Sequence, residues 1–517
     1  MARYKDVHYD QDRLIPVSFH KQILPGTFEY TLSYLIDHEL DLSQFDTRYH
    51  NDETGAPAFD PAVLLKIVIY AYSRGITSSR KIEQACRENI IFMALSADTQ
   101  PHFTTIADFV ATMDEQMVPL FRNVLMICAE LQLIGGEMFA IDGCKLPSNA
   151  SKSWSGTRAE LKKKQRKLDK AARALLRRHR DTDAQPMAPE QVEREAQAAQ
   201  VIKAKAKKIR QWLADHNDKP GKRGKPKKSN ITDNESAKMK TGKGVIQGYD
   251  GVACTDAKHQ VVVHGEAFGE AQEHDLLQPM IERTDEHFEA MGHTDIFRTT
   301  KLTADSGFYN TANVTHLYQH GIDGYLPDLG FRKRDPRFAG VEGYRARYKK
   351  DQQAYYGRKT QQYTSPDFQY DEMSHTCICP AGNKLYSNGC VTSAGGNETL
   401  RFRGAKRDCL PCTHRDKCFR DPDKTQTRQV AIFIGQSKPA QPNYLECMKQ
   451  KIDTPEGRYQ YSRRMGIVEP VFGNICSTLG LNRFSLRTKR KVDVQWKLYC
   501  IVHNLLKIHR YGELGIT

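Results

Sequence analysis

Long apolar runs are missing from this 517-residue sequence. The longest, residues 63 to 72, is interrupted by Lys66 and is far shorter than the ~20 residues of a membrane-spanning helix. The basic residues of the N-terminus have no apolar segment behind them, as a secretory signal would have. We therefore expect a protein without a membrane span that is not secreted and stays in the cytoplasm.

Several motifs of common enzyme classes are missing as well. The sequence has no P-loop, no dinucleotide-binding glycine fingerprint, no HExxH helix and no internal repeat. Nothing in it therefore points to chemistry based on ATP, NAD or a zinc-protease site. The thirteen cysteines are odd in number and partly scattered, which indicates reduced thiols and not a disulfide framework.

The composition is that of a globular protein with a strong positive charge. Hydrophobic residues make up 39% and charged residues 27%, and the length has room for about two to four domains. The net charge is +15 and the pI is near 9.1. Such an excess is typical of proteins that neutralise the phosphates of a polyanion, although a solvated basic surface would carry the same charge.

The N-terminal region, residues 1 to 130, is predicted to be mostly helical. Apolar residues recur at three- and four-residue spacing between residues 61 and 95, with a turn at Gly75 and N-cap candidates at Ser78 and Ser79. Two helices joined by a short turn could bind DNA, and they could equally serve core packing.

Two predicted strands each lead into an aspartate. Residues 138 to 141 precede Asp142, and residues 299 to 304 precede Asp305. Further strands between 245 and 264 and a helix over 310 to 320 favour an α/β core. The C-terminal ends of strands are where open α/β sheets bind ligands, yet an aspartate there is more often a turn residue or a helix cap.

Two further regions interrupt this pattern. Residues 155 to 228 are predicted to form a basic helical hairpin, divided by Pro186 and Pro189, and a mobile Gly/Pro/Lys linker at 219 to 228. The linker could contact phosphates or act as a solvated tether. The tyrosine- and glutamine-rich stretch 344 to 368 has no period that predicts a structure.

Three acidic segments occur in one order, namely FAIDGCKLPSNASKS (139–153), KLTADSGFYN (301–310) and YSRRMGIVEPVFGNI (461–475). They resemble the three acidic motifs of bacterial insertion-sequence transposases of the DDE type, with intervals of 163 and 164 residues between Asp142, Asp305 and Glu469. Other stretches resemble the same transposases: 59–86, 101–109, 230–239, 248–256, 482–492 and 503–510.

The resemblance implies a fold and a site. The fold is α/β, with a ribonuclease-H-like catalytic core in residues 131–517, an N-terminal all-helical DNA-binding domain in 1–130, the inserted helical hairpin at 155–228 and a cysteine-rich insertion at 370–425. Asp142, Asp305 and Glu469 would hold Mg²⁺ or Mn²⁺ ions. A pair of divalent ions activates the attacking oxygen and stabilises the leaving oxygen of a phosphodiester.

The resemblance also implies DNA contacts. Tyr461 and Arg464 match residues used near the DNA backbone, and Arg464 could clamp a phosphate. Related transposases commonly have a lysine where this chain has Cys476, which puts that contact or full activity in doubt. A basic triplet could compensate or could lie in a solvated loop, namely Lys489, Arg490 and Lys491.

A cysteine cluster follows residue 376. The Cys-x2-Cys spacing of Cys409 and Cys412 suits a structural zinc ion, with Cys379 and Cys418 as the preferred partners. Cys377 and His414 are further candidates for the same site. A metal-free group of buried thiols is the alternative.

The expected protein is a DNA transposase that binds the terminal inverted repeats of its element, cleaves the ends and joins the 3′ strands to target DNA. Its partners would be double-stranded DNA and a second copy during synapsis, and it would associate with the bacterial nucleoid when bound to DNA. One alternative is a transposase-derived DNA-binding regulator with an impaired site, which Cys476 favours. A nuclease that processes RNA is another alternative.

Overall fold

The structure is a computed structural model that describes residues 17–49, 57–181, 189–221, 224, 226–242, 244–335, 362–392, 397–419, 421–436 and 443–513. The chain divides into two compact units. The first unit comprises Met1–Asp328 and Thr454–Thr517, and the second comprises Leu329–Asp453.

Among the residues described before 131, six α-helices form the N-terminal part of the first unit, as the apolar periodicity predicts. They are α1 (Phe28–Tyr34), α2 (Pro61–Ser73), α3 (Ser79–Glu88), α4 (Ile90–Leu95), α5 (Phe103–Thr112) and α6 (Asp114–Glu130). Local chemistry sets their ends. The side chain of Asp60 accepts a hydrogen bond from the Ala62 N–H at the start of α2, and Gly75 follows the helix with a φ of +71°.

A six-stranded sheet follows. Its strands are β1 (Met138–Pro147), β4 (Ala237–Thr241), β5 (Gly244–Asp256), β6 (Val262–Phe268), β7 (Lys301–Ala304) and β8 (Gly324–Tyr325), while β2 (Ser155–Gly156) and β3 (Ser229–Asn230) form a separate pair. β5 pairs antiparallel with β1, β4 and β6. β1 pairs in parallel with β7, which pairs in parallel with β8.

The first predicted strand was too short. Residues 138 to 141 were expected to end before Asp142, but β1 continues to Pro147. The reason is its second neighbour, because antiparallel pairing with β5 continues to Pro147 after parallel pairing with β7 stops at Ile141. Asp142 therefore lies within β1, at the residue where the strand loses its parallel neighbour. The second strand ends before Asp305, as predicted.

Two long helices lie between the first strands, as the basic region predicts. They are α7 (Arg158–Asp181) and α8 (Pro189–Asp215), and they pack on each other around Leu161, Ile209 and Trp212. The ends of the predicted linker are held together, because the Lys227 N–H donates to the Lys219 carbonyl at 2.9 Å. Two shorter helices flank the later strands, namely α9 (Leu277–Ala290) and α10 (Thr311–Gln319).

The second unit contains a five-stranded antiparallel sheet. Its strands are β9 (Gln369–Asp371), β10 (Thr376–Ile378), β11 (Lys384–Thr392), β12 (Asn397–Arg403) and β13 (Gln429–Gln436), with the short helices α11 (Lys406–Cys409) and α12 (Arg415–Cys418) and the longer α13 (Tyr444–Asp453). The sequence pattern predicts only the last of these strands, in the run from Gln429 to Ile434. β11 shows why, since most of its residues are exposed and carry no apolar alternation. Residues 344–361 of the tyrosine-rich stretch lie outside the described residues.

Two helices after residue 454 complete the first unit, namely α14 (Pro455–Gly473) and α15 (Lys489–Tyr511). α15 is buried over most of its length and packs on β6 and α6. Asn504 on this helix exchanges two hydrogen bonds of 2.8 Å with the backbone of Val262 in β6. None of the helices that the structure describes is long and apolar enough to cross a membrane.

Candidate active site

Asp142 and Asp305 lie side by side in the first unit. β1 and β7 pair in parallel up to Ile141 and Ala304, so the next residue of each strand is an aspartate. The two carboxylates are close enough for the negative charge of Asp305 to raise the pKa of Asp142. The structure thus brings two of the three predicted acids together, where the parallel pairing ends.

Backbone N–H groups hold both carboxylates. The Gly143 N–H donates to Oδ1 of Asp142 at 2.8 Å, and the Gly307 N–H donates to Oδ1 of Asp305 at 2.7 Å. Because each donor lies within two residues of its acceptor, the bond fixes the direction of the carboxylate relative to its own strand.

Burial is the main influence on the charge of both aspartates. It raises the pKa of Asp142 to about 6, although the Arg464 guanidinium and the Gly143 N–H oppose the rise. Burial also raises the pKa of Asp305, and the nearby Glu273 carboxylate adds to the effect. Carboxylates that are buried and lie close to other negatively charged groups are typical of sites that bind a cation.

Arg464 lies against Asp142. Its Nη1 forms an ion pair with Oδ2 of Asp142, and its side chain is only 12% exposed. The guanidinium carbon stands 5.8 Å from the ring centre of Tyr461. In this position the arginine neutralises an acid of the site, and its contact with a DNA phosphate, like that of Tyr461, stays a prediction.

Three further charged residues surround the aspartates, and the sequence analysis missed all of them. They are Lys145, Asp250 and Glu273. Lys145 and Asp250 are paired across β1 and β5, with 3.8 Å between Nζ and Oδ2. The same Nζ forms an ion pair with Oε1 of Glu273, which lies in the turn before α9. An aspartate within the buried strand β5 is a signal that could have drawn attention to Asp250, whereas Glu273 carries no such signal.

Two glycines make room for these acids. A methyl group at Gly143 would lie 2.7 Å from Oδ1 of Asp250. A methyl group at Gly307 would lie within 2.8 Å of both Oε2 of Glu273 and Oδ1 of Asp305. The absence of a side chain at each glycine therefore lets the carboxylates approach the backbone of β1 and of the turn after β7 closely.

Glu469, the third predicted acid, is exposed on α14. The two residues before it, Ile467 and Val468, pack on β1. Five residues separate Glu469 from Arg464, which corresponds to about 140° around a helix. Among the described residues, no hydrogen bond or ion pair joins Glu469 to another side chain. The structure does not bring it against Asp142 as it brings Arg464.

Cys476 follows the C-terminal end of α14. It lies in the π-helical turn Asn474–Thr478, next to Cys144, and a hydrogen bond with the Cys144 thiol lowers the pKa of the Cys476 thiol. Cys144 is two residues beyond Asp142 in β1. The Cys476 thiol therefore lies near the strand that carries Asp142, whereas the side chain of Glu469 is exposed.

The basic triplet begins α15 and does not lie in a loop. Lys489 Nζ is 2.6 Å from Oε1 of Glu266, and Arg490 Nη1 is 3.0 Å from Oδ1 of Asp114. These ion pairs connect α15 to β6 and α6, while Lys491 is half-buried. DNA contact by the triplet stays a prediction.

In the second unit, the four preferred zinc candidates line one small cavity, namely Cys379, Cys409, Cys412 and Cys418. The Asn383 N–H donates to Sγ of Cys379 at 3.4 Å. Burial raises the pKa of the Cys418 thiol.

The two further zinc candidates have other partners. Cys377 is buried in an apolar core with Phe368, Leu385 and Phe402. His414 borders the same cavity as the four cysteines, but its Nδ1 is 3.0 Å from the hydroxyl of Tyr363.

Neither group of residues is arranged around a metal position. Within the described ranges, no three or more His, Cys, Asp or Glu side chains are positioned to hold a metal ion. Near the two aspartates, basic side chains of the protein neutralise the acids. Arg464 forms an ion pair with Asp142, and Lys145 forms one with Glu273. The donor set still fits a hard divalent cation, since carboxylate oxygens are its preferred protein ligands.

Two protein-family models match parts of the chain. Residues 378–509 match a family described as "Transposase DDE domain". Residues 17–112 match a family described as "Transposase domain (DUF772)". The comparison with curated proteins gave no match. The first match contains Glu469 and Cys476, whereas Asp142 and Asp305 precede it.

Proposed function

Because the two family matches support a DDE-type insertion-sequence transposase, we propose that this chain cleaves the ends of its element and joins the 3′ strands to target DNA. The observation that carries the proposal is the pair Asp142 and Asp305, adjacent where β1 and β7 stop pairing. Glu469, exposed on α14, is the proposed third acid.

We propose a ribonuclease-H-like core for the first unit. Its support is the strand order β6-β5-β1-β7-β8, antiparallel among the first three strands and parallel among the last three. In this arrangement the first acid is carried by the central strand β1 and the second follows the neighbouring parallel strand. Two distant parts of the sequence thereby meet at one edge of the sheet.

We propose that Asp142 and Asp305 hold Mg²⁺ or Mn²⁺. Such ions supply an activated attacking oxygen and a stabilised leaving oxygen in phosphodiester chemistry. The N–H groups of Gly143 and Gly307 keep the two carboxylates directed. Arg464 lies beside Asp142 and could turn to a DNA phosphate once a metal ion takes over the aspartate.

We propose double-stranded DNA as the partner, with two copies of the chain acting together during synapsis. The net charge of +15 supports a polyanionic partner. Much of the positive charge lies on α7, where Arg166, Lys170, Arg173 and Arg177 line one groove. Basic residues on an exposed helix are suited to phosphate contacts that do not depend on base sequence.

The test is a nicking assay on supercoiled plasmid that carries the element's ends, with Mg²⁺ or with EDTA. We expect Asp142→Asn to reduce Mg²⁺-dependent nicking by roughly 10³-fold or more while end binding is retained. Asp108→Asn, an exposed aspartate on α5, is the matched control. Nicking by Asp142→Asn at the wild-type rate would refute the proposal.

A regulator without catalysis is the second candidate, and Cys476 is the observation that favours it. The lysine of related transposases is replaced here by a thiol that lies beside Cys144. The same assay separates the two functions. End binding by the wild-type chain without Mg²⁺-dependent nicking would identify the regulator.

We also propose a structural zinc ion held by Cys379, Cys409, Cys412 and Cys418. Its support is the shared cavity and the lack of a side chain at Gly404, where a methyl group would lie 2.6 Å from Sγ of Cys409. Elemental analysis of the purified chain is expected to give about one zinc per chain, and Cys412→Ser to lose it. Cys447→Ser, an exposed cysteine on α13, is the control. A zinc-free wild-type chain would favour the metal-free alternative.

A further inference from the structure

The five-stranded sheet of the second unit has one packed face and one open face. Alternate side chains of its strands form an apolar core, to which Leu385 and Phe402 belong. Because successive side chains of a strand point to opposite faces, the residues between them lie on the other side of the sheet. On that side, large apolar side chains are exposed within the described part of the chain, namely Ile378, Tyr386 and Phe433.

Two of these side chains are aromatic and well exposed. Tyr386 of β11 is 55% exposed, and Phe433 of β13 is 61% exposed. Strand β12 lies between them, with Tyr386 opposite Arg403 and Phe433 opposite Thr399. The two rings are thus ~10 Å apart across the strands and roughly 13 Å apart along them. They do not stack on each other, and both are available to a ligand.

Basic residues lie between and beside the two rings. Arg401 and Arg403 of β12 are exposed on this face, two residues apart, and Lys384 is opposite Ile378 at the start of β11. Nε of Arg403 donates to the Thr427 hydroxyl at 3.0 Å, which orients its guanidinium group. Within the described ranges, no carboxylate forms an ion pair with either arginine.

Acidic residues of the five strands lie away from this cluster. Asp371 is on the outermost strand β9, where its carboxylate accepts hydrogen bonds from the turn that follows. Glu398 alternates with Leu400 and Phe402, and therefore belongs to the packed side of β12. The face around the two rings is consequently positive.

The combination of cations and exposed rings indicates the chemistry of the ligand. Guanidinium groups bind phosphates, and aromatic side chains stack on bases that are not already stacked in a duplex. A single strand of DNA offers both groups to a flat surface, whereas a duplex keeps its bases inside. A second copy of the chain fits less well, because a symmetric contact through this face would bring like charges together.

We propose that the open face of this sheet binds single-stranded DNA. Tyr386 and Phe433 stack on unpaired bases, while Arg401 and Arg403 contact the phosphates between them. The site goes beyond the proposed function, because it shares no residue with the acidic site or with α7 and requires no metal ion.

The test is fluorescence anisotropy of a labelled oligothymidylate with the full-length protein in EDTA. An excess of unlabelled duplex occupies other basic surfaces, such as that of α7. Tyr386→Ala and Phe433→Ala are each expected to weaken binding by about 5-fold or more, since a stacked base loses its ring. Tyr511→Ala, which removes an exposed ring at the end of α15, is expected to bind as the wild type does.

Two conservative variants separate stacking from general apolar contact. Phe433→Tyr keeps the ring and is expected to bind within about 2-fold of the wild type, whereas Phe433→Leu keeps an apolar side chain and is expected to lose as much affinity as Phe433→Ala. They decide the question if an alanine variant does not fold. Wild-type binding by Phe433→Leu, or by both alanine variants, overturns the proposal.

Arg401→Gln tests the phosphate contact. It is expected to reduce the slope of log K against log salt concentration by about 0.7, the value for one phosphate of a single strand. An unchanged slope would contradict the role given to this arginine and overturn the proposal in that part.

Two further measurements distinguish other occupants of the face. The same variants are titrated with a labelled duplex without competitor, and a loss equal to that for the single strand would assign the face to duplex DNA. Sedimentation without DNA would assign it to a second copy if the wild type is a dimer and Phe433→Ala a monomer. Either result overturns the proposal. A chain that does not nick DNA but shows the expected losses with oligothymidylate refutes the proposed function and leaves this site standing.

Discussion

The strand-borne acids and the helix-borne acid of this chain are held in different ways. Asp142 and Asp305 follow residues that are paired in register, and each accepts a backbone hydrogen bond. Glu469 is exposed on a helix whose neighbouring apolar residues pack on β1. Backbone hydrogen bonds between paired strands fix the register of the strands and so the position of each side chain. A helix that packs through apolar side chains can rotate or shift along its axis. The strand acids are therefore expected to be preorganised, and the helix acid adjustable.

The largest expected effect concerns Asp305, which lies beside Asp142 after the parallel pairing ends. Asp305→Asn is expected to reduce Mg²⁺-dependent nicking by roughly 10³-fold or more and to weaken Mn²⁺ binding, because the site loses a ligand. The measurement is the nicking rate together with calorimetric titration of the protein with Mn²⁺. If Asp305→Asn bound Mn²⁺ with the wild-type affinity, the strand pair would be less important than proposed.

The next largest effect is expected at His503, which contacts the turn that follows α14. His503 of α15 is buried, its Nε2 lies 2.9 Å from the Gln260 carbonyl, and its Nδ1 lies 3.0 Å from Asn474 just after α14. Burial lowers the pKa of His503 to about 4. Below the unfolded pKa of about 6.5 the unfolded chain binds this proton and the folded chain does not, so stability falls as the pH falls from 6.5 to 4.

At pH 5 the loss from His503 is expected to be about 2 kcal/mol relative to pH 7. Buried acids with raised pKa values, such as Asp142, shift stability in the opposite direction. The contribution of these buried acids cancels when the unfolding free energy of His503→Gln is subtracted from that of the wild type. The remaining difference should change with pH between the two His503 pKa values, about 6.5 unfolded and about 4 folded. His320→Gln, on an exposed histidine, should show no such change. A pH-independent difference for His503→Gln would contradict the prediction.

A smaller effect is expected at Glu469 itself. Because the side chain is exposed on α14, Glu469→Gln is expected to weaken Mn²⁺ binding by less than about 10-fold in the absence of DNA. Calorimetric titration of Glu469→Gln and of Asp305→Asn with Mn²⁺ compares the two losses of affinity. A loss as large as that of Asp305→Asn would mean that the helix acid is as preorganised as the strand acids, and the contrast between them would disappear.

The smallest effect is expected from Cys476→Lys, which places a cation in the turn that follows α14. One additional phosphate contact is expected to steepen the dependence of log K on log salt concentration by about one unit. DNA binding measured at several salt concentrations tests this, with Cys476→Ala as the control. An unchanged slope would indicate that the turn after α14 does not face DNA.

The sequence predicted those parts of the site that depend on local pattern. A short apolar run before each aspartate marked Asp142 and Asp305 as candidates, and the resemblance to acidic motifs selected them. Parallel pairing of β1 and β7 places the two side by side. The continuation of β1 to Pro147 could not be predicted, because it depends on β5, about a hundred residues later.

Lys145 and Glu273 were missed for a related reason. Their ion pair joins residues 128 positions apart, and neither residue belongs to a spacing that suggests chemistry. Likewise, the family resemblance named Glu469, but the exposure of its side chain follows from the way α14 packs on β1.

The burial of α15 has a consequence for the synthesis of the protein. This helix covers β6, yet Lys489 is made more than 200 residues after Val262. At about 5–20 residues per second, the apolar face of the sheet stays uncovered for roughly 10–40 s during translation. Both proposed strand acids emerge before that helix, so a nascent chain carries them before the sheet is supported. The protein should therefore become active only after α15 has been synthesised, and chaperones that bind apolar surfaces should engage the chain before then.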